Sequence, residues 1–341
     1  MKTIPSSILE LAPIPQGSDA GSTLENTKEY AQLADSLGFN RFWLAEHHNM
    51  AHIASSATAV LIGLIAGQTQ KIRVGSGGIM LPNHSPLIIA EQFGTLATLY
   101  PDRIDLGLGR APGTDTLTAL AIQKDFFAQS KQFPQNVEAL QVYFSQENSA
   151  GKVRAAIAEK TNVPIWILGS SRESAALAAA KGLPYAFAGH FAPRDMMAAF
   201  LLYRNNFQPS EFLDHPYTIA AVNAIAADTD QEAEILSTSL YQMFQNIVLN
   251  NGKFLQPPVP SLTQLLDGMN DAVRSQVNQM TACSFVGNSD KLSVELKEFL
   301  QKSGADELMI HAPIYDQLDK LKSITLIKEV MDGINREKNI V

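Results

Sequence analysis

The chain has 341 residues, 45% hydrophobic and 18% charged, a balance that excludes extensive disorder and supplies a full core. Its 26 basic and 34 acidic side chains give a net charge of −8, which lacks the basic footprint of a nucleic-acid binder and opposes adsorption to anionic membranes. The single cysteine, Cys283, excludes an internal disulfide framework and any multi-cysteine metal or iron–sulfur centre.

Residues 1–10 carry one Lys, and Glu10 interrupts the apolar stretch, so no signal peptide is expected. The uncharged run Ala57–Gly67 is too short to cross a bilayer. The expectation is a soluble, cytoplasmic protein. In chain order, apolar runs predict strands at Pro5–Leu11, Arg41–Ala45, Arg73–Gly77, Ile104–Leu108, Pro164–Leu168, Pro184–Ala188, Tyr217–Ala226 and Glu307–His311. Helical patterns fall between and after them: Thr23–Leu37, Ile53–Thr69, Pro86–Leu99, Gln135–Gln146, Ser171–Lys181, Pro193–Asn206, Thr229–Gln245, Asp290–Gln301 and Tyr315–Val330. Pro86 and Pro193 suit first turns, and Gly38, Gly182 and Gly304 stand where helices end.

This alternation predicts an α/β fold, a (β/α)8 TIM barrel spanning residues 1–341 as one domain. The competing open sheet shows a glycine fingerprint after its first strand, and none follows Leu11. One segment, Asn246–Thr281, breaks the pattern with Gln256-Pro-Pro-Val-Pro260 and weak periodicity. It reads as an insertion after the seventh strand, either a mobile lid or a purely structural addition.

Barrel enzymes place their chemistry at the C-terminal strand ends. After the second strand comes Glu46-His47-His48. Adjacent strand residues face opposite sides, so the two histidines do not share an ion, and a metal site is not expected. A histidine here serves as a general base or satisfies loop carbonyls. Gly169-Ser-Ser-Arg-Glu-Ser174 opens an Ala-rich helix and reads as a serine cap or an anion site. Arg110, at the adjacent strand end, tips that balance towards phosphate, whereas Arg172 reads as a surface residue. Gly75 to Gly78 leave bare backbone, as a bend or as a platform for a flat ring. Cys283 reads as core. His190, after the sixth strand, either lines a pocket or is structural.

Phe42-Trp-Leu-Ala-Glu-His-His48, Val74-Gly-Ser-Gly-Gly-Ile-Met-Leu-Pro82 and Pro101-Asp-Arg-Ile-Asp-Leu-Gly-Leu-Gly-Arg110 occur in order, followed by Gly169–Ser174, Phe285-Val-Gly287 and Ala305-Asp-Glu-Leu-Met-Ile310. The ordered set resembles the bacterial luciferase-like monooxygenases, and within them the group-1 luciferase-family oxidoreductases. The resemblance implies a barrel with an insertion near its seventh strand. It also implies reduced FMN delivered by a separate flavin reductase, and oxygenation of a small organic substrate through a C4a-peroxyflavin. By the same resemblance His47 is the catalytic base, Arg110 meets the FMN phosphate, and Ser170, Ser171 and Ser174 lie at the phosphate positions. Gly77–Gly78 then falls where the family carries a non-prolyl cis peptide near the flavin ring. Gly109 replaces a reactive cysteine of the light-emitting subunit, which counts against light emission, and Ser170 stands where luciferase has a carboxylate. A homodimer through 53–69 and 86–99 is implied, with the first of these buried. Two further readings stay open: hydride transfer with a deazaflavin, and a non-catalytic flavin-binding protein.

Overall fold

Short runs of apolar and β-branched residues form ten strands in the computed structural model, which describes residues 3–338. They are β1 (Ser6–Glu10), β2 (Arg41–Leu44), β3 (Arg73–Ser76), β4 (Ile79–Met80), β5 (Ile104–Gly109), β6 (Ile165–Gly169), β7 (Tyr185–Phe187), β8 (Thr218–Ala226), β9 (Ser284–Gly287) and β10 (Glu307–His311). All eight predicted strands are present. Eight parallel strands close into a barrel in the order β1, β2, β3, β5, β6, β7, β8, β10, with β10 pairing back to β1. This is the expected (β/α)8 fold. Helices on the outside bury the outward faces, so strands such as β8 are buried at every position.

The two unpredicted strands are short. β4 resumes the line of β3 after a cis peptide at Gly77–Gly78, pairing Ile79 and Met80 with Leu108 and Gly109. β9 lies outside the closed barrel: the first half of β8 pairs with β10 through Asn223, and the second half, Asn223–Ala226, pairs with β9.

Caps set the helix ends. Helix Ala20–Leu37 starts three residues before its predicted position because Asp19 accepts a hydrogen bond from the Ser22 amide at 2.8 Å. It ends at Gly38 with φ 79°, and Gly182 and Gly304 are also left-handed, as predicted. The predicted helix 53–69 starts only at Thr58. Its first residues are used elsewhere: Ile53 bridges to Pro13, and the Ser55 hydroxyl donates to the Leu11 carbonyl. It is also less buried than expected, with Val60 71% and Leu64 41% exposed.

The segment 246–281 is more regular than its composition implied. It contains helices Leu262–Asp267 and Asp271–Met280, capped by Ser261 and Asn270. Val273 and Val277 pack with Leu240, Phe244, Ile225 and Ile314 in a small core of their own. Leu255 pairs with the loop after β1, its amide donating to the Ile14 carbonyl. Two further short helices, Thr116–Ile122 and Phe126–Lys131, follow β5. No helix among the described residues is long and apolar enough to cross a membrane.

Period-two alternation stacks the barrel interior in layers. The lower layer, at the strand starts, holds Ser7, Arg41, Asp105 and Glu307. Above it lies an apolar layer of Leu9, Trp43, Trp166, Ala186, Ile219, Ala221 and Met309. Gly75 and Gly77 make room for it, since a Cβ on either would approach the Trp43 side chain to 2.9 or 3.1 Å. The upper rim, at the strand ends, carries the candidate site.

Candidate functional site at the upper rim

Glu46, at the end of β2, organises one side of the rim. Its Oε1 lies 2.8 Å from His48 Nε2 and 2.8 Å from His84 Nε2, while Oε2 accepts from the Met80 amide at 3.1 Å. Although Glu46 is buried, these donors outweigh desolvation and hold its carboxyl down at about 2. The strand-parity expectation is met in part: His48 turns to Glu46, while the enclosed His47 Nδ1 has no partner. The unforeseen member is His84, 38 residues downstream of Glu46. Glu46, His48 and His84 form a group close enough to hold an ion, yet hydrogen bonds already satisfy the carboxylate.

His47 is the half-buried imidazole on this side, with its Nδ1 enclosed. Desolvation lowers it from 6.5 to about 4, against the pull of Glu46. The ring is neutral at physiological pH and its free nitrogen is able to accept a proton. His190, after β7, is lowered to about 3 by burial, and its Nδ1 also lacks a partner. His311, at the end of β10, lies 5.3 Å from His190, ring centre to ring centre. Burial, with His190, Lys320 and His47 nearby, pushes it well below the usual imidazole range. Thus three neutral histidines converge at the rim. His311 was missed, although it ends a predicted strand and the strand-end rule applied to β10 points to it.

The other side of the rim carries the anion-binding elements. Helix Arg172–Ala180 starts at Ser171, whose hydroxyl caps the Ser174 amide. Arg110 is exposed at the end of β5 and close enough to act on Glu173 in the first turn of that helix. Hydrogen bonding from Ser171 and from the helix-start backbone lowers the Glu173 carboxyl, with Arg110 and Arg172 adding to it. Ser170 is half-buried at the junction. The Ser174 hydroxyl is differently committed: it donates to the Ser171 carbonyl at 2.8 Å and meets the Tyr185 hydroxyl at 2.9 Å. It locks the turn, and Gly169 is required beneath it, since a Cβ there would lie 2.2 Å from Ser174 Oγ. Arg172 is exposed and reaches Asp195 at 3.7 Å, in keeping with a surface role.

Gly77 and Gly78 stand between these two sides. A Cβ on Gly77 would meet Leu9 at 2.7 Å, and one on Gly78 the Gly107 carbonyl at 2.8 Å. On that side the two glycines are demanded by the barrel core. Gly109 is similarly confined, since a Cβ there would approach Met80 Sδ to 2.8 Å. Cys283 is buried and its thiol is raised to about 11 by desolvation, which makes it a core residue as expected.

Residues 5–307 match the family model described as luciferase-like monooxygenase. A protein of Escherichia coli (strain K12) named luciferase-like monooxygenase is 45% identical over 333 residues, 98% of each chain. The crystal structure of apo-MsnO8 superimposes with a TM-score of 0.86 at 33% identity, covering 97% of this chain and 99% of that one. Two more distant structures share the fold alone. One is the oxygenating constituent of 3,6-diketocamphane monooxygenase from Pseudomonas putida in complex with FMN, at TM-score 0.70, 16% identity and 96% and 98% coverage. The other is an F420-dependent secondary alcohol dehydrogenase with an F420-acetone adduct, at 0.69, 14% identity and 98% and 99% coverage. With the family model matched over most of its length, this chain belongs to the luciferase-like monooxygenase family.

Proposed function

We propose that the protein oxygenates a small organic substrate with reduced FMN and dioxygen, the FMN arriving from a separate flavin reductase. The observation that carries this reading is the rim itself. An exposed arginine and a capped helix start lie on one side, and an enclosed neutral histidine without a partner lies on the other. The donor set fits FMN. Arg110, the amides of Ser170 and Ser171 and the Ser170 hydroxyl hold the phosphate, where the helix start favours negative charge. Ser174 supports that turn from beneath. The Gly77–Gly78 backbone faces the flavin ring. Reduced FMN, when bound, supplies the electrons that activate dioxygen.

His47 then acts as the proton acceptor; its enclosed Nδ1 has no partner within the protein. A neutral imidazole in this position takes a proton from substrate without first losing one of its own. Glu46 does not compete for that proton, because its oxygens are taken by His48, His84 and the Met80 amide. The apolar layer below limits water at the site.

The exposed apolar residues Val60 and Leu64, with Ile88 and Leu99 of helix Pro86–Leu99, suit a homodimer through these two helices. Elution at the monomer mass in gel filtration overturns the dimer. The function is tested by titrating the protein anaerobically with reduced FMN and then admitting air. Saturable binding followed by slowed flavin reoxidation relative to free FMN is the expected result. No FMN binding, with binding of reduced F420 instead, replaces oxygenation by hydride transfer. Binding with reoxidation as fast as in free solution supports a non-catalytic flavin carrier.

A further inference from the structure

His311 ends the inward-facing line Glu307–Met309–His311 and stands one layer above Met309. Its Nδ1 lies 2.8 Å from Oδ1 of Asn223, the residue paired with it across β8 and β10. Asn223 is fully buried, and its Nδ2 lies 2.7 Å from the His190 carbonyl oxygen and 3.0 Å from Ser284 Oγ. A carbonyl only accepts hydrogen bonds, so the amide nitrogen has to face His190 and the amide oxygen has to face His311. His311 Nδ1 is therefore the donor. In the neutral ring Nε2 is then a bare lone pair, and it is buried with no partner. Leaving such an acceptor unmet is unfavourable, because the lost hydration is not replaced. The layer beneath holds two indole donors, of which Trp43 Nε1 serves Asp105 and Trp166 Nε1 makes no hydrogen bond, and the free Nδ1 of His190 sits on a ring that packs against both His311 and Phe191.

We infer that His311 Nε2 accepts a hydrogen bond from the substrate, which is therefore a small organic molecule with an O–H or N–H donor on an otherwise apolar body. Asn223 is the positioning residue that holds the tautomer. This rests on the reading of the rim as the substrate site of a flavin-dependent enzyme. It narrows the substrate class away from simple alkanes and aldehydes, which carry no such donor.

The test uses the full chain labelled with 15N-histidine, the His311 signals being identified by their loss in His311→Gln. Wild type is expected in the neutral Nδ1–H tautomer at pH 7, and Asn223→Leu is expected to mix the two tautomers while the other histidine signals persist. The flavin-free protein is then titrated with phenol and, separately, with its methyl ether anisole. Phenol is expected to shift Nε2 and to bind roughly three- to tenfold more tightly than anisole, the range of one neutral hydrogen bond. His311→Leu should abolish that difference. His311→Gln, which keeps a donor for Asn223 and an acceptor for the ligand, should retain it. An Nε2–H tautomer in wild type overturns the inference. So does an Nε2 signal that phenol leaves unmoved, which means that water or the fold alone accounts for the free lone pair. Because no flavin is present, these outcomes are independent of whether FMN binds. A failed FMN titration with a responsive Nε2 removes the proposed cofactor and leaves the acceptor in place.

Discussion

The two ends of the barrel handle buried polar groups in opposite ways. At the lower end Asp105 is fully buried and ringed by donors: Arg41 Nη1 at 2.7 Å, Arg73 Nη2 at 2.6 Å and Trp43 Nε1 at 3.1 Å. Glu307 takes Arg41 Nε at 3.0 Å, the Tyr217 hydroxyl at 2.8 Å, Asn40 at 3.2 Å and the Ser7 hydroxyl. The Arg41 guanidinium also lies over the Trp166 ring at 4.5 Å. At the upper end, His47, His190 and His311 each keep an enclosed nitrogen with no partner. A satisfied buried network rigidifies, whereas unsatisfied buried groups are costly and persist where a ligand completes them. The lower end is the staple of the fold, and the upper end is the candidate site.

That contrast makes predictions that separate stability from turnover. The largest effect is expected at the lower end. Asp105→Ala leaves Arg41 and Arg73 facing an empty buried site and should lower unfolding stability by about 3–5 kcal/mol, read by urea denaturation. A loss under 1 kcal/mol would show that the network is not the staple. At the upper end, His47→Ala should cut turnover at least about a hundredfold, as removal of an acid–base group does, with FMN affinity much less changed. Steady-state kinetics beside a flavin titration distinguish the two, and unchanged turnover removes the role of His47.

Arg110→Ala should weaken FMN binding by about ten- to a hundredfold, the range of a hydrogen bond to a charged group, while melting behaviour stays near wild type. Equal affinity in the variant would place the phosphate elsewhere.

Acid should weaken the upper end first. His190, lowered to about 3, and His311, lower still than its ordinary 6.5, stay neutral in the folded chain while the unfolded chain takes up their protons. Stability is therefore full above pH 6.5 and falls as the pH drops below it, by about 1.4 kcal/mol per pH unit for each of the two. Glu46 acts in the same direction at lower pH: its contribution is full above 4.5 and is lost as the pH falls through about 2. Thermal melts from pH 7.5 to 4.5 measure the histidine part, and a flat profile would mean that the rings protonate in place. The smallest effect is expected for His190→Leu. Exchanging an unsatisfied buried imidazole for an apolar side chain should leave stability unchanged or raise it by up to about 1 kcal/mol at pH 7. A clear loss of stability would mean that His190 is part of the structure after all.

All eight barrel strands were legible because each is an apolar run long enough to be covered on both faces. β9 was not, since Ser284–Gly287 becomes a strand only because β8 extends beyond the barrel to meet it. The helices Leu262–Asp267 and Asp271–Met280 were hidden by polar composition. They hold together through caps and through a few contacts to Leu240 and Phe244 that are distant in sequence. Of the candidate site, strand ends and motif order pointed to His47, Arg110 and the Ser170–Ser174 turn; His84, at a strand end, carried no assigned role, and His311 was passed over. The Ser174 hydroxyl proved to be spent on its own turn.

The alternation of strand and helix and the glycine helix ends at 38, 182 and 304 were readable from the chain alone. Those follow from local sterics and from the period of the chain. Only the tertiary structure decided which polar atoms stay unmatched: Glu46 is saturated because His84 arrives beside it, and His311 keeps a bare nitrogen because Asn223 claims the other. Hydrogen-bond satisfaction is settled between partners that the chain brings together from across the barrel, so it has no local signature.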